Sequence, residues 1–340
     1  MKLNFPLLNK KTKKIVGLDI GSYNLKVVEM NMSGNVRQIT ALAMKDIRSI
    51  QDLSGIIEET FTENNITTTD VNIAISGESV VARHLSLPKM SEDELKKAII
   101  FELEDHIPFK PEEVYLDFRI VGDELNSENK MRVVLVAAKK DFLDFRIELV
   151  RKAGLEPRLV TMDALSLMNT LYFNYPNKEK TNVALLNIGD KITNLVIARE
   201  KIPYFIRDTR FGGESITALL QTKMELDKKA AEELKHNLKD ASSDVPKLIK
   251  TTLASLLNEI FVSIDFFENL TEKKIDEIYL SGGSSQLFGL KEFLGGYLSL
   301  EILTLDPLKN FTFSPSISQE TISKVSPYMA VATGLALEDL

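Results

Sequence analysis

The chain has 340 residues, 44% of them hydrophobic and 27% charged, a balance that excludes global disorder and suits a folded protein of about two domains. Its 42 Lys and Arg against 49 Asp and Glu leave a net charge of −7, which argues against nucleic acid as a general partner. Cysteine is absent, the 3 histidines (His84, His106, His236) lack metal-ligand spacing, and no run approaches the ~20 apolar residues of a bilayer span.

Residues 1–13 read as a basic leader, with Phe5, Leu7 and Leu8 beside Lys10, Lys11 and Lys13, and are expected to be solvated. Residues 15–20 then form a buried strand, Gly21-Ser22-Tyr23-Asn24 a tight turn, and residues 25–30 the returning strand. A similar hairpin recurs at residues 183–198 around Gly189-Asp190-Lys191. An offset of 168 residues sets Asp19 on Asn187, Gly21 on Gly189 and Val28 on Val196, which predicts two related halves facing each other across a cleft. Between the hairpins, residues 84–88 are extended and Ser91 with Glu94 forms a capping box. Leu95, Ile99, Leu103 and Ile107 follow at i+4 spacing on a helix that Pro108 stops. Strands at 114–120 and 132–138, a helix from Asp141 to Ala153 closed by Gly154, and a strand at 157–160 complete an α+β unit over residues 84–161. In the second half, Gly212-Gly213 opens a helix at 214–224, followed by a charged helix at 228–238 and a long one at 247–270. A buried strand at 275–280 ends in Ser281-Gly282-Gly283-Ser284, and a last helix, rich in Ala and Gly, spans 327–337.

Neither G-x-x-x-x-G-K-[ST] nor G-x-G-x-x-G occurs, so a P-loop or a Rossmann dinucleotide site is unsupported. Three glycine-bearing strand ends remain. In the first, Gly21 permits close backbone approach, the Ser22 and Tyr23 amides and the Ser22 hydroxyl suit phosphate oxygens, and Lys26 supplies a point charge. Asp19 suits a magnesium ion held through water. Taken alone, this turn reads equally as a plain hairpin with a surface lysine. The second end carries Gly189, with Asn187 where a second carboxylate is expected. The third, Gly282-Gly283-Ser284, leaves room for a flat base over bare backbone. All three in this order are far more informative than any one.

Gly17-Leu18-Asp19-Ile20-Gly21-Ser22 with Lys26, Leu186-Asn187-Ile188-Gly189, and Ile278-Tyr279-Leu280-Ser281-Gly282-Gly283-Ser284 resemble the two phosphate motifs and the adenosine motif of the actin-like ATPase superfamily. Arg210-Phe211-Gly212-Gly213 with Thr217 is similar to that superfamily's entry into a helical subdomain. Ala231-Glu232-Glu233-Leu234-Lys235 resembles a segment that reaches the ribose in FtsA and MreB, with Glu232 and Lys235 on one helix face. Leu85-Ser86-Leu87-Pro88, Pro108-Phe109, Pro111-Glu112-Glu113-Val114, Asp117-Phe118 and Lys152-Ala153-Gly154-Leu155 look like the inserted subdomain of the PilM family of type IV pilus assembly proteins.

The resemblance implies an α/β, two-lobed actin-like (ribonuclease H-like) ATPase fold with an FtsA-type inserted α+β subdomain. The first core subdomain would take residues 14–83, 162–180 and 327–340, and the insert 84–161. The second core would take 181–212 and 258–326, and a helical subdomain 213–257. The implied ligands are ATP or ADP with Mg2+, held by Asp19, Gly21, Ser22, Tyr23, Lys26, Gly189, Asp190, Gly212, Gly213, Glu232, Lys235, Gly282, Gly283 and Ser284. The implied partner is the cytoplasmic N-terminal segment of a PilN-type membrane protein, in a groove between first core and insert that Leu95, Ile99 and Leu103 are expected to line. Pilus motor ATPases and further copies of the chain are additional implied partners. The protein is expected in the cytoplasm, at the inner face of the membrane through its partner. Hydrolysis is expected to be slow or absent, because Asn187 removes a carboxylate and no water-activating base stands out in the sequence. The competing readings are a filament former like FtsA or MreB and a small-molecule kinase of the same superfamily.

Overall fold

The computed structural model describes residues 13–34, 36–124, 127–237 and 244–338, so the basic leader apart from Lys13 lies outside the described residues. Two hairpins set the frame. β1 (Lys13–Ile20) pairs antiparallel with β2 (Asn24–Ser33), setting Asp19 opposite Lys26; β9 (Val183–Ile188) pairs antiparallel with β10 (Thr193–Arg199), setting Asn187 opposite Asn194. Both turns close alike: the Gly21 amide donates to the Asn24 carbonyl at 3.2 Å, and the Gly189 amide to the Ile192 carbonyl at 3.0 Å.

Each hairpin is extended in the same way. In the first sheet β3 (Val36–Asp46) adds antiparallel to β2, β4 (Asp70–Ile75) parallel to β1, and β8 (Glu156–Met162) parallel to β4. In the second, β11 (Ile202–Thr209) adds antiparallel to β10, β12 (Glu277–Ser281) parallel to β9, and β13 (Glu301–Thr304) parallel to β12. A short β14 (Thr312–Phe313) joins the outer edge of β3. The two sheets share one topology, as the sequence offset predicts.

β1 is buried on both faces, which explains its nearly continuous apolar run. On one side Val16, Leu18 and Ile20 pack on Ile56, Ile57 and Phe61 of α1 (Leu53–Glu63) and on Leu149 and Val150 of α3 (Lys140–Lys152). On the other lies α10 (Ala330–Leu337), wedged between β1 and α4 (Asp163–Asn174). Glycine makes that wedge possible. A Cβ on Gly17 would overlap the Ala332 carbonyl, and one on Gly334 the Ser166 carbonyl.

The insert is a three-stranded sheet of β5 (Val80–Pro88), β7 (Ser127–Lys139) and β6 (Val114–Glu124), covered by α2 (Glu92–His106). The Ser91–Glu94 capping box forms as predicted. Leu95, Ile99 and Leu103 are only 0–2% exposed, however, and pack with Leu85, Leu87, Val133 and Leu135 inside the insert. They do not line a partner groove: the stripe is consumed by the sheet it covers.

Two boundaries also move. β8 pairs with β4, and α3 packs in the first-lobe core, so the insert's own sheet ends at Lys139 and not at residue 161. β4 and β8 are parallel and need a long crossover, and the insert lies within that crossover. Likewise, Leu308, Phe311 and Val325 pack with β1 and β2 residues Ile15, Val28 and Met30, so the chain leaves the second lobe after β13. The second lobe also carries α5 (Gly213–Met224), α6 (Lys228–His236), α8 (Leu290–Leu298) and α7 (Asp244–Thr271), one 28-residue helix that runs through the expected boundary at 257/258. Among the described residues no helix is long and apolar enough to cross a membrane.

Candidate functional site

The turns of both hairpins and the end of β12 open on one cavity between the lobes, of about 520 Å³, within the range of small-molecule sites. At its first-lobe end, Asp19 closes β1 and its Oδ2 lies 3.0 Å from Lys26 Nζ, the cross-strand neighbour. Thus the two predicted phosphate-end charges are paired with each other. A Cβ on Gly21 would stand 2.9 Å from the Asn24 carbonyl oxygen, the acceptor that closes the turn, so glycine keeps this turn tight. Ser22 and Tyr23 lie exposed at the mouth, where partial desolvation of the phenol, then the charges of Asp46, Glu232 and Asp190, raise the Tyr23 pKa.

Across the cleft, the Gly189 carbonyl accepts from Ser284 Oγ at 2.7 Å and from the Gly213 amide at 3.0 Å. The Asp190 carbonyl accepts from the Glu214 amide at 2.9 Å. These bonds tie the second turn to the start of α5 and to the glycine-rich end of β12. Burial, then the charge of Glu214, raises the Asp190 carboxyl pKa. Lys235 Nζ lies 2.7 Å from Glu232 Oε2 and donates to Thr217 Oγ1 at 2.9 Å. Burial pushes the Glu232 carboxyl up, but hydrogen bonds from Lys235 and Thr217 outweigh it and hold it below the usual range. Gly282 has φ +89°, and a Cβ there would stand 2.8 Å from Asn187 Oδ1; one on Gly283 would stand 2.9 Å from the Tyr328 ring.

Of the residues the sequence points to for the cofactor, all line this cavity except Gly212. That glycine sits behind the turn, where a Cβ would overlap the Asp190 carbonyl, so its smallness serves packing.

Three cavity or near-cavity groups escape sequence reading. Asp163, the first residue of α4, lies deep in the cleft, and burial, then the nearby Asp19 charge, pushes its carboxyl up to about 7. Arg146 reaches the cavity from α3. Asp208 on β11 accepts the Gly77 amide at 2.7 Å and Asn194 Nδ2 at 2.8 Å; burial raises its pKa.

The Asp208 bonds also explain Asn187. Ser281 Oγ donates to Asn187 Oδ1 at 3.1 Å, and Asn187 Nδ2 donates to Asn194 Oδ1 at 2.9 Å, freeing Asn194 Nδ2 for Asp208. An amide both donates and accepts at that point, whereas an ionised carboxylate only accepts. Asn187→Asp is expected to turn Asn194 away from Asp208 and to cost about 1–3 kcal/mol of stability at neutral pH, read as a lower urea midpoint. An unchanged midpoint would show that the relay is not coupled.

The close glycine approaches, the paired lysines and the size of the cavity fit a nucleotide. Among the described residues no group of three His, Cys, Asp or Glu is placed to hold a metal, so Asp19 and Asp163 suit at most a hydrated ion sharing its other positions with water and phosphate.

A family profile described as type IV pilus assembly protein PilM matches residues 17–340. A solved PilM–PilN type IV pilus biogenesis complex is similar at 28% identity and TM-score 0.85, covering 96% of this chain and 98% of that one. The ethanolamine utilization protein EutJ from Carboxydothermus hydrogenoformans is 13% identical, with TM-score 0.56 over 96% of this chain and 89% of that one. ADP-bound MreB5 of Spiroplasma citri is 10% identical, with TM-score 0.53 over 95% of this chain and 94% of that one. The last two show the fold alone: two-lobed and actin-like.

Proposed function

The chain belongs to the PilM family of type IV pilus assembly proteins, and from that premise we propose that it is an ATP-binding scaffold that seats the cytoplasmic N-terminal segment of a PilN-type membrane protein beside its nucleotide cleft. The carrying observation is the continuity of the cleft with an apolar annex. Beyond Asp19 and Gly21 the cavity runs on between Ile47, Ile50 and Leu53 near the start of α1 and Phe142, Phe145 and Leu149 of α3, at the root of the insert. Ile50 and Phe145 are 65% and 51% exposed, so the annex offers apolar surface that the buried Leu95/Ile99/Leu103 stripe of α2 does not. A short extended peptide with apolar side chains suits it, and such a partner would hold the protein at the inner face of the membrane.

In the cleft, Gly282 and Gly283 leave space for the adenine, and Glu232 and Lys235 face the ribose. Lys26 and the turn amides at Gly21–Tyr23 would hold phosphates, and Asp19 would hold a hydrated Mg2+ through its water. Bound ATP supplies a cleavable phosphoanhydride. The chain's own contribution to cleavage is Asp163, whose carboxyl is poised to take a proton from a water near neutral pH. The Asn187 amide, standing where a second carboxylate is expected, supports slow turnover and a scaffold role.

Phe145→Glu is expected to weaken binding of the cognate PilN-type N-terminal peptide by about tenfold or more, with nucleotide affinity kept. Fluorescence polarisation with the labelled peptide reads this. Native-like peptide affinity in the variant would move the groove elsewhere; no binding by the native chain would remove the partner.

A further inference from the structure

The basic side chains that line the cleft differ in one respect. Lys26 lies 3.0 Å from Asp19, Lys235 2.7 Å from Glu232, Lys191 3.6 Å from Glu214, and His236 3.8 Å from Glu232. Arg146, partly buried, has no carboxylate within ion-pair distance among the described residues. Its Nη1 reaches the Ile20 carbonyl at a long 3.4 Å, and its guanidinium lies 5.7 Å from the centre of the Phe142 ring. A guanidinium carries five donors in a fixed fork and stays charged. Here one donor is weakly used, and the residue lines the cavity.

The position narrows the ligand. Ile20 ends β1, directly before the turn at Gly21, and the glycine-rich loop 282–284 lies at the other lobe's strand end. Asp19 and Asp163 lie near enough to pull the guanidinium toward its charged form, but burial holds its pKa below the usual arginine value. An arginine without a partner, at the phosphate end and facing carboxylates that repel phosphate, supplies the charge that an additional phosphate needs there.

We infer that Arg146 is the residue that reads the terminal phosphate, making a nucleoside triphosphate rather than a diphosphate the tight ligand of this cleft. The inference rests on the nucleotide reading above. Lys26 is already neutralised by Asp19 and does not by itself distinguish a third phosphate from a second. Arg146 does so because its fork is free until that phosphate arrives.

Calorimetric titration of the full chain with Mg-AMPPNP and with Mg-ADP tests it. The native chain is expected to prefer the triphosphate analogue. Arg146→Met should weaken AMPPNP by about 10- to 100-fold while ADP affinity stays close to native. Arg146→Lys keeps charge without the fork and should fall between. Unchanged AMPPNP affinity in Arg146→Met overturns the inference and leaves the nucleotide reading intact. Loss of both ligands in that variant passes the decision to Arg146→Lys, where a selective loss supports the inference and native selectivity overturns it. A native chain that binds neither nucleotide overturns both readings.

Discussion

Gly282→Ala should remove nucleotide binding and destabilise the second lobe together. At φ +89° and ψ 163° the residue occupies backbone space that is nearly reserved for glycine, and a side chain there carries a strain of about 1–3 kcal/mol. The new methyl would also stand 2.5 Å from the Ile188 carbonyl oxygen and 2.8 Å from Asn187 Oδ1. Neither neighbour yields easily, because Ile188 ends β9 and Asn187 is held by Ser281 and Asn194. Relief requires β12 to part from β9 at the strand end where adenine would lie. The expected loss is at least about 100-fold in ATP affinity, with a urea midpoint lowered in proportion to 2–4 kcal/mol. Gly283→Ala is the control. Its methyl meets only the Tyr328 ring, at 2.9 Å, and a side chain can swing aside. Affinity should fall there with little change in stability. Native-like ATP binding in Gly282→Ala would remove this loop from the nucleotide site.

The sequence features that read through were local ones. A hairpin with a glycine at its turn declares itself within a dozen residues, and the 168-residue offset works because Asp19–Lys26 and Asn187–Asn194 are the same cross-strand pair. The Ser91–Glu94 capping box is likewise local. What failed depended on distant pairing. Read along the chain, β8 belongs to its neighbours β6 and β7; in space it pairs with β4, which brings Asp163 and, through α3, Arg146 to the cleft. The apolar stripe of α2 shows a different limit. Spacing at i+4 identifies a face to be covered but not what covers it, and here Leu85 and Val133 do so. Among the described residues, the large apolar side chains that this helix leaves to solvent are Ile100 and Phe101, 53% and 82% exposed, which break the spacing.

Asp163→Asn separates stability from chemistry at one residue. The native carboxyl holds its proton to about pH 7, whereas in the unfolded chain it ionises near 3.8. Between those values the folded state binds the proton and the unfolded state does not. This contribution therefore favours folding at low pH and is lost as pH rises toward 7. The amide has no charge to strand, so the nucleotide- and metal-free variant should be more stable than the native chain at pH 8, by roughly 2–4 kcal/mol, and hardly more stable at pH 4. Thermal melts at the two pH values read the difference. The amide also cannot take a proton from water, so single-turnover ATP cleavage should fall by about 100-fold or more. A stabilised protein with lost turnover is the signature of a charge kept for function at the expense of the fold. If the variant is no more stable at pH 8 than at pH 4 relative to the native chain, the proton is not held at Asp163. If it cleaves ATP at the native rate, the base lies elsewhere.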